Sequence, residues 1–166
     1  MNLIVAVDKN WGIGINGDLL FSIPEDKKIF RHTTLNKVVV MGHSTFKSLP
    51  DSAPLKNRTN IVLSKDKTLK MEGAVVCNSI EQLMNTISAY DDNDVFVIGG
   101  QAVYAQLIDY CKTAYVTRID SAVKADKYFP AIDKMDNWEI VNVSDKKEYD
   151  GLAFAFYQYQ NNSPKV

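Results

Sequence analysis

The stretch VFVIGGQAVY, residues 95–104, decides the fold class, because an apolar run passes through two glycines directly into a helical pattern. Val95 to Ile98 is the kind of continuous Val/Ile run that is typical of a strand covered on both faces. After Gly99-Gly100, the apolar residues Val103 and Leu107 recur at helical spacing. A strand that leads at once into a helix is the building unit of α/β sheets.

Similar apolar runs, with helical patterns between them, lie on both sides of this stretch. One helical pattern runs from near Ser22 to about Thr34, with Pro24 in its first turn and Glu25 placed as in a capping box. Two more helices are predicted near Gly42 and after Ser79, and a fourth follows Gly99-Gly100. The other predicted strands of this kind are Leu3 to Val7, Val38 to Met41, Ile61 to Leu63, Val75 to Cys77 and Tyr115 to Ile119.

The last part of the chain follows a different pattern. Trp138 to Val143 and Ala153 to Tyr159 alternate more between apolar and polar residues, which predicts an antiparallel pair with a turn near Asp150-Gly151. No repeat, low-complexity tract or linker interrupts residues 1–166. We therefore expect a single-domain α/β fold, with a mainly parallel central sheet, flanking helices and a C-terminal antiparallel strand pair.

The composition is that of a globular protein without strong charge. The chain is 46% hydrophobic with a formal net charge of −1, so a nucleic-acid partner has no electrostatic support. The first apolar run is too short for a signal peptide, and no run reaches the roughly 20 apolar residues of a membrane span. We expect a cytoplasmic protein, with Cys77 and Cys111 as buried free thiols and no metal site.

Ligands bind at the carboxyl ends of the strands in a parallel sheet, so the residues just after each strand are the candidates for function. Asn10 to Asp18 follows the first strand and includes Gly12, Gly14 and Gly17. A mobile, glycine-rich segment at this place can serve as a lid over a ligand. It can equally be an ordinary surface connection.

Asp26 falls in the first turn of the first helix, where helical spacing puts Phe30 on the same face. Acidic residues favour first turns because of the helix dipole, so this position alone requires no catalytic role. If the carboxyl instead faces an apolar cleft beside Phe30, the loss of solvation raises its pKa and suits it to proton transfer.

Two strands end in turns that suit phosphate groups. Gly42 leads into His43-Ser44-Thr45, and Gly99-Gly100 leads into Gln101. Helix N-termini offer free N–H groups to anions, and glycine lets the backbone approach closely. Either turn alone is as well explained by ordinary turn chemistry, whereas two in one sheet favour a phosphate-bearing ligand.

Arg58 precedes a strand, and arginine can bind a carboxylate through two parallel hydrogen bonds. A surface arginine without function would look the same in the sequence. Phe30, Leu49 and Leu55 either line an apolar passage to Arg58 or belong to the core.

In this order, the residues resemble the dihydrofolate reductase family over nearly the whole chain, and the compact loops favour its bacterial type. The resemblance implies reduction of 7,8-dihydrofolate to 5,6,7,8-tetrahydrofolate in one-carbon metabolism, with hydride passing from NADPH to pterin C6 and a proton to N5. It also implies a monomer that binds antifolates and has a cis bond between Gly99 and Gly100. The matching motifs are Gly12-Ile13-Gly14, Ile23-Pro24-Glu25-Asp26, Val40-Met41-Gly42 with Thr45 and Ser48, Arg58-Thr59-Asn60, Ile98-Gly99-Gly100 with Tyr104, Thr117-Arg118-Ile119, and Asp126 before Phe129-Pro130.

The resemblance also implies roles for individual residues. Asp26 would orient the pterin and support its protonation with Thr117 as its partner, and Leu19 and Phe21 complete the implied catalytic group. Arg58 would hold the α-carboxylate of the glutamate tail. The implied substrate-binding residues are Val5, Ala6, Asp26, Phe30, Leu49, Leu55, Arg58, Ile98 and Thr117. The implied cofactor-binding residues are Ala6, Ile13, Gly14, Leu19, Gly42, His43, Ser44, Thr45, Leu63, Ser64, Lys65, Ile98, Gly99, Gly100, Gln101, Ala102, Val103 and Tyr104.

Two departures from the family pattern concern function. Phe21 stands where the family nearly always has tryptophan, and phenylalanine cannot donate the indole hydrogen bond that normally holds a water near the substrate. His43 and Ser44 stand where the family usually has an arginine that binds the 2′-phosphate of NADPH, although Lys65 could supply a replacement charge. The use of NADH therefore stays open.

Two other functions are alternatives. A reductase of a pyrimidine intermediate in riboflavin synthesis shares the fold, but it predicts a basic site for a ribose phosphate and no anchor of the Asp26 type. A dinucleotide-binding protein without catalysis fits Phe21 and His43, but not the retained Asp26 and Arg58.

Overall fold

The computed structural model describes the whole chain, Met1 to Val166. Its strands are β1 (Asn2–Val7), β2 (Gly12–Ile15), β3 (Asp18–Leu19), β4 (Val38–Gly42), β5 (Thr59–Leu63), β6 (Ala74–Cys77), β7 (Val95–Gly99), β8 (Thr113–Ile119), β9 (Lys127–Tyr128), β10 (Trp138–Val143), β11 (Lys147–Tyr149) and β12 (Leu152–Asn161). Its helices are α1 (Pro24–Thr34), α2 (His43–Ser48), α3 (Ile80–Ile87) and α4 (Gln101–Leu107). Short 3-10 turns lie at Pro50–Ser52, Asp92–Asp94, Ile108–Tyr110 and Ile132–Lys134.

A nine-stranded sheet in the order β10-β12-β8-β1-β7-β4-β5-β6, with β11 beside β12, forms the centre of the molecule. The strands from β8 to β6 in this order run parallel. The C-terminal strands β10, β11 and β12 add to it in antiparallel fashion. The predicted α/β architecture is therefore confirmed.

Alternate residues of the central strands pack on opposite faces of this sheet. In β4, Val38 belongs to a core cluster with Leu83 of α3 and Leu107 of α4. The next residue, Val39, belongs to a second cluster with Phe46 of α2. Since both faces of β4 are covered by helices, its apolar run is unbroken.

The first helix begins one residue later than a capping box at Ser22 requires, so that prediction is wrong. The N-cap is Ile23, with φ −110° and ψ 116°, and no side chain caps the helix. The residue before a proline is restricted to extended backbone, so the helix begins at Pro24. Ile23 is buried in a third cluster with Ile119 and Phe154, which fixes this end of α1 on the sheet.

The glycine-rich segment after β1 is a hairpin, not an irregular loop. Strands β2 and β3 pair with each other, and β2 also pairs with β9, which makes a separate three-stranded sheet. Asn16 and Gly17 form the turn with φ values of 52° and 82°. Positive φ at both central residues is what a type I′ turn requires, and Asn-Gly is its preferred sequence. Residues 12–19 are called the hairpin below.

The turn at Asp150-Gly151 closes a different pair of strands from the one expected. It joins β11 to β12, with Tyr149 opposite Leu152. The predicted pairing of β10 with β12 is present, but it lies further along β12. The edge strand β6 also differs from expectation, because Val75 is 46% exposed instead of covered on both faces.

No helix of the structure is both long and apolar enough to cross a membrane. Cys77 and Cys111 are buried free thiols, as expected. The structure contains no group of three or more His, Cys, Asp or Glu side chains that could hold a metal ion.

Candidate active site

The carboxyl ends of the parallel strands meet at one edge of the sheet. Ala6 of β1 pairs with Thr117 of β8, and Met41 of β4 pairs with Gly99 of β7. Residues that are far apart in the sequence therefore lie side by side. Ligands bind at this edge in α/β sheets, so these residues lie at the centre of the candidate site.

The carboxyl group of Asp26 meets Thr117 at this edge. The Thr117 hydroxyl donates a hydrogen bond of 2.6 Å to Oδ1 of Asp26, which leaves Oδ2 for a ligand. Burial raises the pKa of Asp26, and the bond from Thr117 opposes part of that rise. A carboxyl group in this setting changes its protonation state closer to neutral pH than an ordinary aspartate does.

Apolar side chains surround the Asp26–Thr117 pair. Phe30, one turn further along α1, is half-buried. A cavity of about 210 Å³ is lined by Ile29 of α1, together with Thr117, Phe156 and neighbouring residues of the sheet. The cavity thus reaches Thr117, the hydrogen-bond partner of Asp26.

Three of the predicted substrate-binding residues form one apolar wall. Leu49, Leu55 and Ile98 pack against the cluster that contains Phe46, and each remains half-buried. Asn60 holds Leu55 in place, since its side-chain oxygen accepts a bond of 3.0 Å from Leu55 N and its nitrogen donates one of 2.9 Å to Leu55 O. The wall therefore presents partly exposed apolar side chains, and the backbone of Leu55 is held in place by hydrogen bonds.

The guanidinium of Arg58 is fixed against the end of α1. Its Nε and Nη2 donate to Thr34 Oγ1 at 3.3 and 3.2 Å, and Nη2 also donates to Arg31 O at 3.4 Å. Nη1 donates to Lys56 O at 2.8 Å. Arg58 takes part in none of the ion pairs of the structure. A positioned cation with no carboxylate opposite is suited to binding an anionic group of a ligand.

Helix α1 sets the distance between these two anchors. Asp26 lies in its first turn, and Thr34, the partner of Arg58, is its last residue. At a rise of about 1.5 Å per residue, the two positions are about 12 Å apart along the helix axis. The arrangement suits an elongated ligand with hydrogen-bond donors at one end and a negative charge at the other.

The turns after β4 and β7 lie against each other. A Cβ atom on Gly42 would lie 3.1 Å from Val103 Cγ2, and one on Gly100 would lie 3.1 Å from Thr45 Oγ1. Gly99 has a φ of 134°, which side-chain-bearing residues rarely adopt. The Gly99–Gly100 bond is cis, as the family resemblance implies. The hydroxyl of Thr45 and the glycine pair are therefore parts of one narrow cradle.

The next residues along these strands extend the cradle outward. Gly42 pairs with Leu63, so His43 lies beside Ser64 and Lys65. His43 and Ser64 are half-buried, and Lys65 is exposed. The structure thus brings together the residues from which a phosphate-binding group was predicted.

The negative charge of Asp66 lies close to His43 and Lys65. Two hydrogen bonds from Thr68 lower the pKa of the exposed Asp66 carboxyl, and the charge of nearby His43 contributes to the same effect. Asp66 therefore opposes the attraction that Lys65 and His43 exert on a phosphate group.

The hairpin carries the predicted residues Ile13, Gly14 and Leu19. Gly14 is buried, whereas Leu19 is 74% exposed. An exposed leucine gains burial when an apolar ligand lies against it, and burial of apolar surface is favourable.

Two carboxylates hold the hairpin in place, and Asp8 was not among the predicted site residues. The buried Asp8 carboxylate accepts bonds of 2.8 Å from Gly12 N and 3.3 Å from Val123 N. Asp126 Oδ2 accepts a bond of 3.0 Å from Asn16 N. The signal for Asp8 in the sequence is a charged residue placed directly after a buried strand and before a glycine.

Several predicted site residues support the site from the core. Val5, Val103 and Tyr104 are 9%, 6% and 3% exposed. The hydroxyl of Tyr104 donates to Ile4 O at 2.7 Å, which ties α4 to β1. Phe21 packs against the cluster around Ile23, and Ala6 does the same.

The side chain of Gln101 points to a partner that the sequence did not reveal. Its Oε1 accepts a hydrogen bond of 2.7 Å from Tyr128 N in β9. Ala102, the next residue of α4, is exposed. Gln101 thus keeps only its backbone N–H and its side-chain nitrogen for a phosphate group.

Comparison with known proteins identifies the family of this chain. The dihydrofolate reductase family profile matches residues 1–161. Dihydrofolate reductase from Bacillus subtilis is 31% identical over 98% of this chain and 96% of its own length. Dihydrofolate reductase from Buchnera aphidicola is 34% identical over 84% of each chain.

A solved structure agrees with the sequence comparisons. Dihydrofolate reductase from Enterococcus faecalis, in complex with NADP(H) and RAB-propyl, superposes with a TM-score of 0.87 at 32% identity, over 97% of this chain and 95% of that one. Since the matches extend over the sheet, α1 and both glycine turns, this chain belongs to the dihydrofolate reductase family.

Proposed function

We propose that this chain reduces 7,8-dihydrofolate to 5,6,7,8-tetrahydrofolate with NADPH, and that the residues of the candidate site carry out the reaction. The observation that carries the proposal is the 2.6 Å hydrogen bond between Thr117 and Asp26 at the carboxyl ends of the parallel strands. It fixes one desolvated carboxyl group where a heterocycle with ring N–H and amino groups would need an acceptor.

Asp26 and Arg58 bind the two ends of the substrate. The free Oδ2 of Asp26 accepts hydrogen bonds from the pterin ring N–H and its exocyclic amine, while Thr117 holds Oδ1. Arg58 binds the α-carboxylate of the glutamate tail. Its partner Thr34 lies about 12 Å from Asp26 along the axis of α1, which suits a long, thin molecule. Phe30 and the wall of Leu49, Leu55 and Ile98 cover the apolar middle part.

The reaction adds one hydride to C6 and one proton to N5 of the pterin, and NADPH leaves as NADP⁺. Asp26 supports delivery of the proton, because its raised pKa keeps a larger protonated fraction than an ordinary aspartate has. Phe21 offers no hydrogen bond to a water near N5. Proton delivery in this chain therefore depends more on the Asp26–Thr117 pair.

The cradle around Gly99-Gly100 fits the pyrophosphate of the cofactor. A Cβ atom on Gly100 would lie 3.1 Å from Thr45 Oγ1, so a side chain at this position would crowd the hydroxyl that faces the cradle. The nicotinamide supplies the hydride when it is bound. Thr45, Ser64 and the backbone of the two turns hold its phosphate and ribose groups, and the hairpin with Ile13, Gly14 and Leu19 covers its ring.

Further properties of the chain belong to the same proposal. The chain works as one domain over residues 1–166 and as a monomer in the cytoplasm. It binds antifolates at the Asp26 site. The net charge of −1 supports neither a nucleic-acid partner nor a membrane surface.

The test is the loss of nicotinamide absorbance with dihydrofolate, measured in parallel with NADPH and NADH. We expect turnover with NADPH, and a smaller advantage over NADH than a bound arginine would give, because Asp66 offsets Lys65. Equal turnover with both would mean that His43 and Lys65 make no contact with the 2′-phosphate.

The absence of turnover with either cofactor, in a protein that unfolds cooperatively, would contradict the proposal. A methotrexate-like pteridine distinguishes the remaining possibilities, since a ligand that binds the native state raises the melting temperature. Stabilisation without turnover would indicate a binding protein. No stabilisation would indicate a different substrate.

A further inference from the structure

We propose that Gln101 is a positioning residue that couples occupation of the Gly99-Gly100 cradle to the position of the hairpin. The inference rests on the proposed function, since it assumes that the cradle holds the pyrophosphate of a dinucleotide. Its basis is a continuous set of contacts from the cradle through β9 to the hairpin.

The first contact joins the cradle to β9. Gln101 is the first residue of α4, directly after the cis Gly99–Gly100 bond. Its side-chain oxygen accepts the bond of 2.7 Å from Tyr128 N. A ligand that fixes the backbone of Gln101 therefore also restricts the side chain that holds β9.

The second set of contacts joins β9 to the hairpin. Tyr128 pairs with Gly12, and Lys127 pairs with Gly14. Asp126 N donates to Gly14 O at 3.0 Å. The hairpin thus has its own hydrogen bonds to β9 and moves with it.

A buried contact runs beside the Gln101 bond. Tyr104 of α4 meets the ring of Phe129 edge to face, with ring centres 5.1 Å apart, and both rings are buried. This contact belongs to the core and fixes one point of the β9 segment. The bond of Gln101 is exposed, so it can break and form again without opening the core.

The size of the coupling follows from one exposed hydrogen bond. A single bond contributes about 3- to 10-fold to the preference of β9, and of the hairpin bonded to it, for the position seen in this structure. By linkage, the loss of the bond weakens a ligand of the cradle by no more than the same factor.

Fluorine NMR of the protein labelled with 5-fluorotryptophan gives a direct readout. The chain has two tryptophans. Trp11 lies just before the hairpin, and its carbonyl accepts a bond of 2.8 Å from Phe129 N. Trp138 lies in the distant edge strand β10 and is buried in the core. Its indole N–H has no partner, so Trp138→Phe assigns the two signals without breaking a hydrogen bond.

The probe is 2′-phospho-ADP-ribose, which contains the phosphates and both riboses of NADPH but no nicotinamide. It lacks the ring that the hairpin is proposed to cover. In the wild-type protein we expect the Trp11 signal to shift on saturation while the Trp138 signal stays in place.

Three variants test the role of the Gln101 side chain. Gln101→Ala should bind the probe about 3- to 10-fold more weakly and lose the Trp11 shift at saturation. Gln101→Glu keeps an acceptor oxygen for Tyr128 N, so it should recover the shift at saturation even where its charge weakens binding. Gln106→Ala, an exposed glutamine further along α4, should behave as wild type.

The outcomes separate this inference from the proposed function. A wild-type protein that does not bind the probe would overturn the assignment of the cradle, and with it the coupling. A Trp11 shift that persists in Gln101→Ala would overturn the coupling and leave the proposed function intact. A Trp138 signal that moves in Gln101→Ala would indicate a general structural effect and would also overturn it.

Discussion

The proposed substrate half and the proposed cofactor half of the site differ in the groups that they offer to a ligand. The substrate half uses side chains that already have partners within the protein, such as Asp26 with Thr117 and Arg58 with Thr34. The cofactor half uses the backbone of two turns and exposed side chains such as Lys65. We infer that single substitutions have large effects in the first half and small ones in the second.

Asp26→Asn should produce the largest effect. Asparagine keeps the shape of the side chain but cannot carry the proton, so we expect hydride transfer at neutral pH to fall by about 100-fold or more. Single-turnover absorbance measurements with NADPH check this. Turnover near the wild-type rate would remove Asp26 from proton chemistry.

The same variant should be more stable than the wild type at neutral pH. Because the folded protein raises the pKa of Asp26 above 3.8, it holds the proton more tightly than the unfolded chain does. The stability of the wild type therefore falls, relative to the variant, as the pH rises from 3.8 through the raised pKa, and it stays lower above it. Thermal unfolding of both proteins as a function of pH checks the sign. A difference that does not depend on pH would mean that the carboxyl is not desolvated.

Arg58→Leu should produce the next largest effect. It removes charge-assisted hydrogen bonds to a carboxylate, so we expect the KM for dihydrofolate to rise about 10- to 100-fold. The KM for NADPH should stay close to the wild-type value. Arg31→Leu, a nearby exposed arginine of α1, is the matched control. An equal effect of both variants would point to general electrostatic attraction, not to a specific anchor.

Lys65→Ala should produce the smallest effect. An exposed charge pair contributes little, so the preference for NADPH over NADH should fall by about 2- to 5-fold. Lys67→Ala, another exposed lysine of the same loop, serves as the control. A loss as large as that of Arg58→Leu would remove the contrast between the two halves.

The sequence predicts the parts of the fold that depend on local pattern. Runs such as Val38 to Met41 predict strands correctly, because both faces of those strands are buried. The start of α1 near Ser22 is also predicted correctly, but the capping box is absent, since the constraint that Pro24 exerts on Ile23 makes Ile23 the N-cap. The hairpin was missed although Asn16-Gly17 is a strong turn signal, because the glycines around it suggested mobility.

The site is less accessible to such reasoning. Asp26 and Arg58 can be singled out by residue type, and the family resemblance supplies Thr117 as the partner of Asp26. Thr34, the partner of Arg58, is set by tertiary packing and was not predicted. A glutamine such as Gln101 has no chemical signature, and only the structure shows which N–H it accepts. The sequence pattern therefore identifies candidate site residues. Tertiary packing determines which of them have hydrogen-bond partners that fix their side chains.

The position of β1 in the middle of the sheet has a consequence for how the chain is made. Its Asn2 pairs with Phe96 on one side and with Thr113 on the other. At about 5 to 20 residues per second, roughly 5 to 20 s of translation separate β1 from its first neighbour. During that interval the apolar strand β1 has no neighbouring strand with which to pair. The strand that later lies beside the catalytic edge is therefore the segment that a nascent-chain chaperone has the longest opportunity to bind.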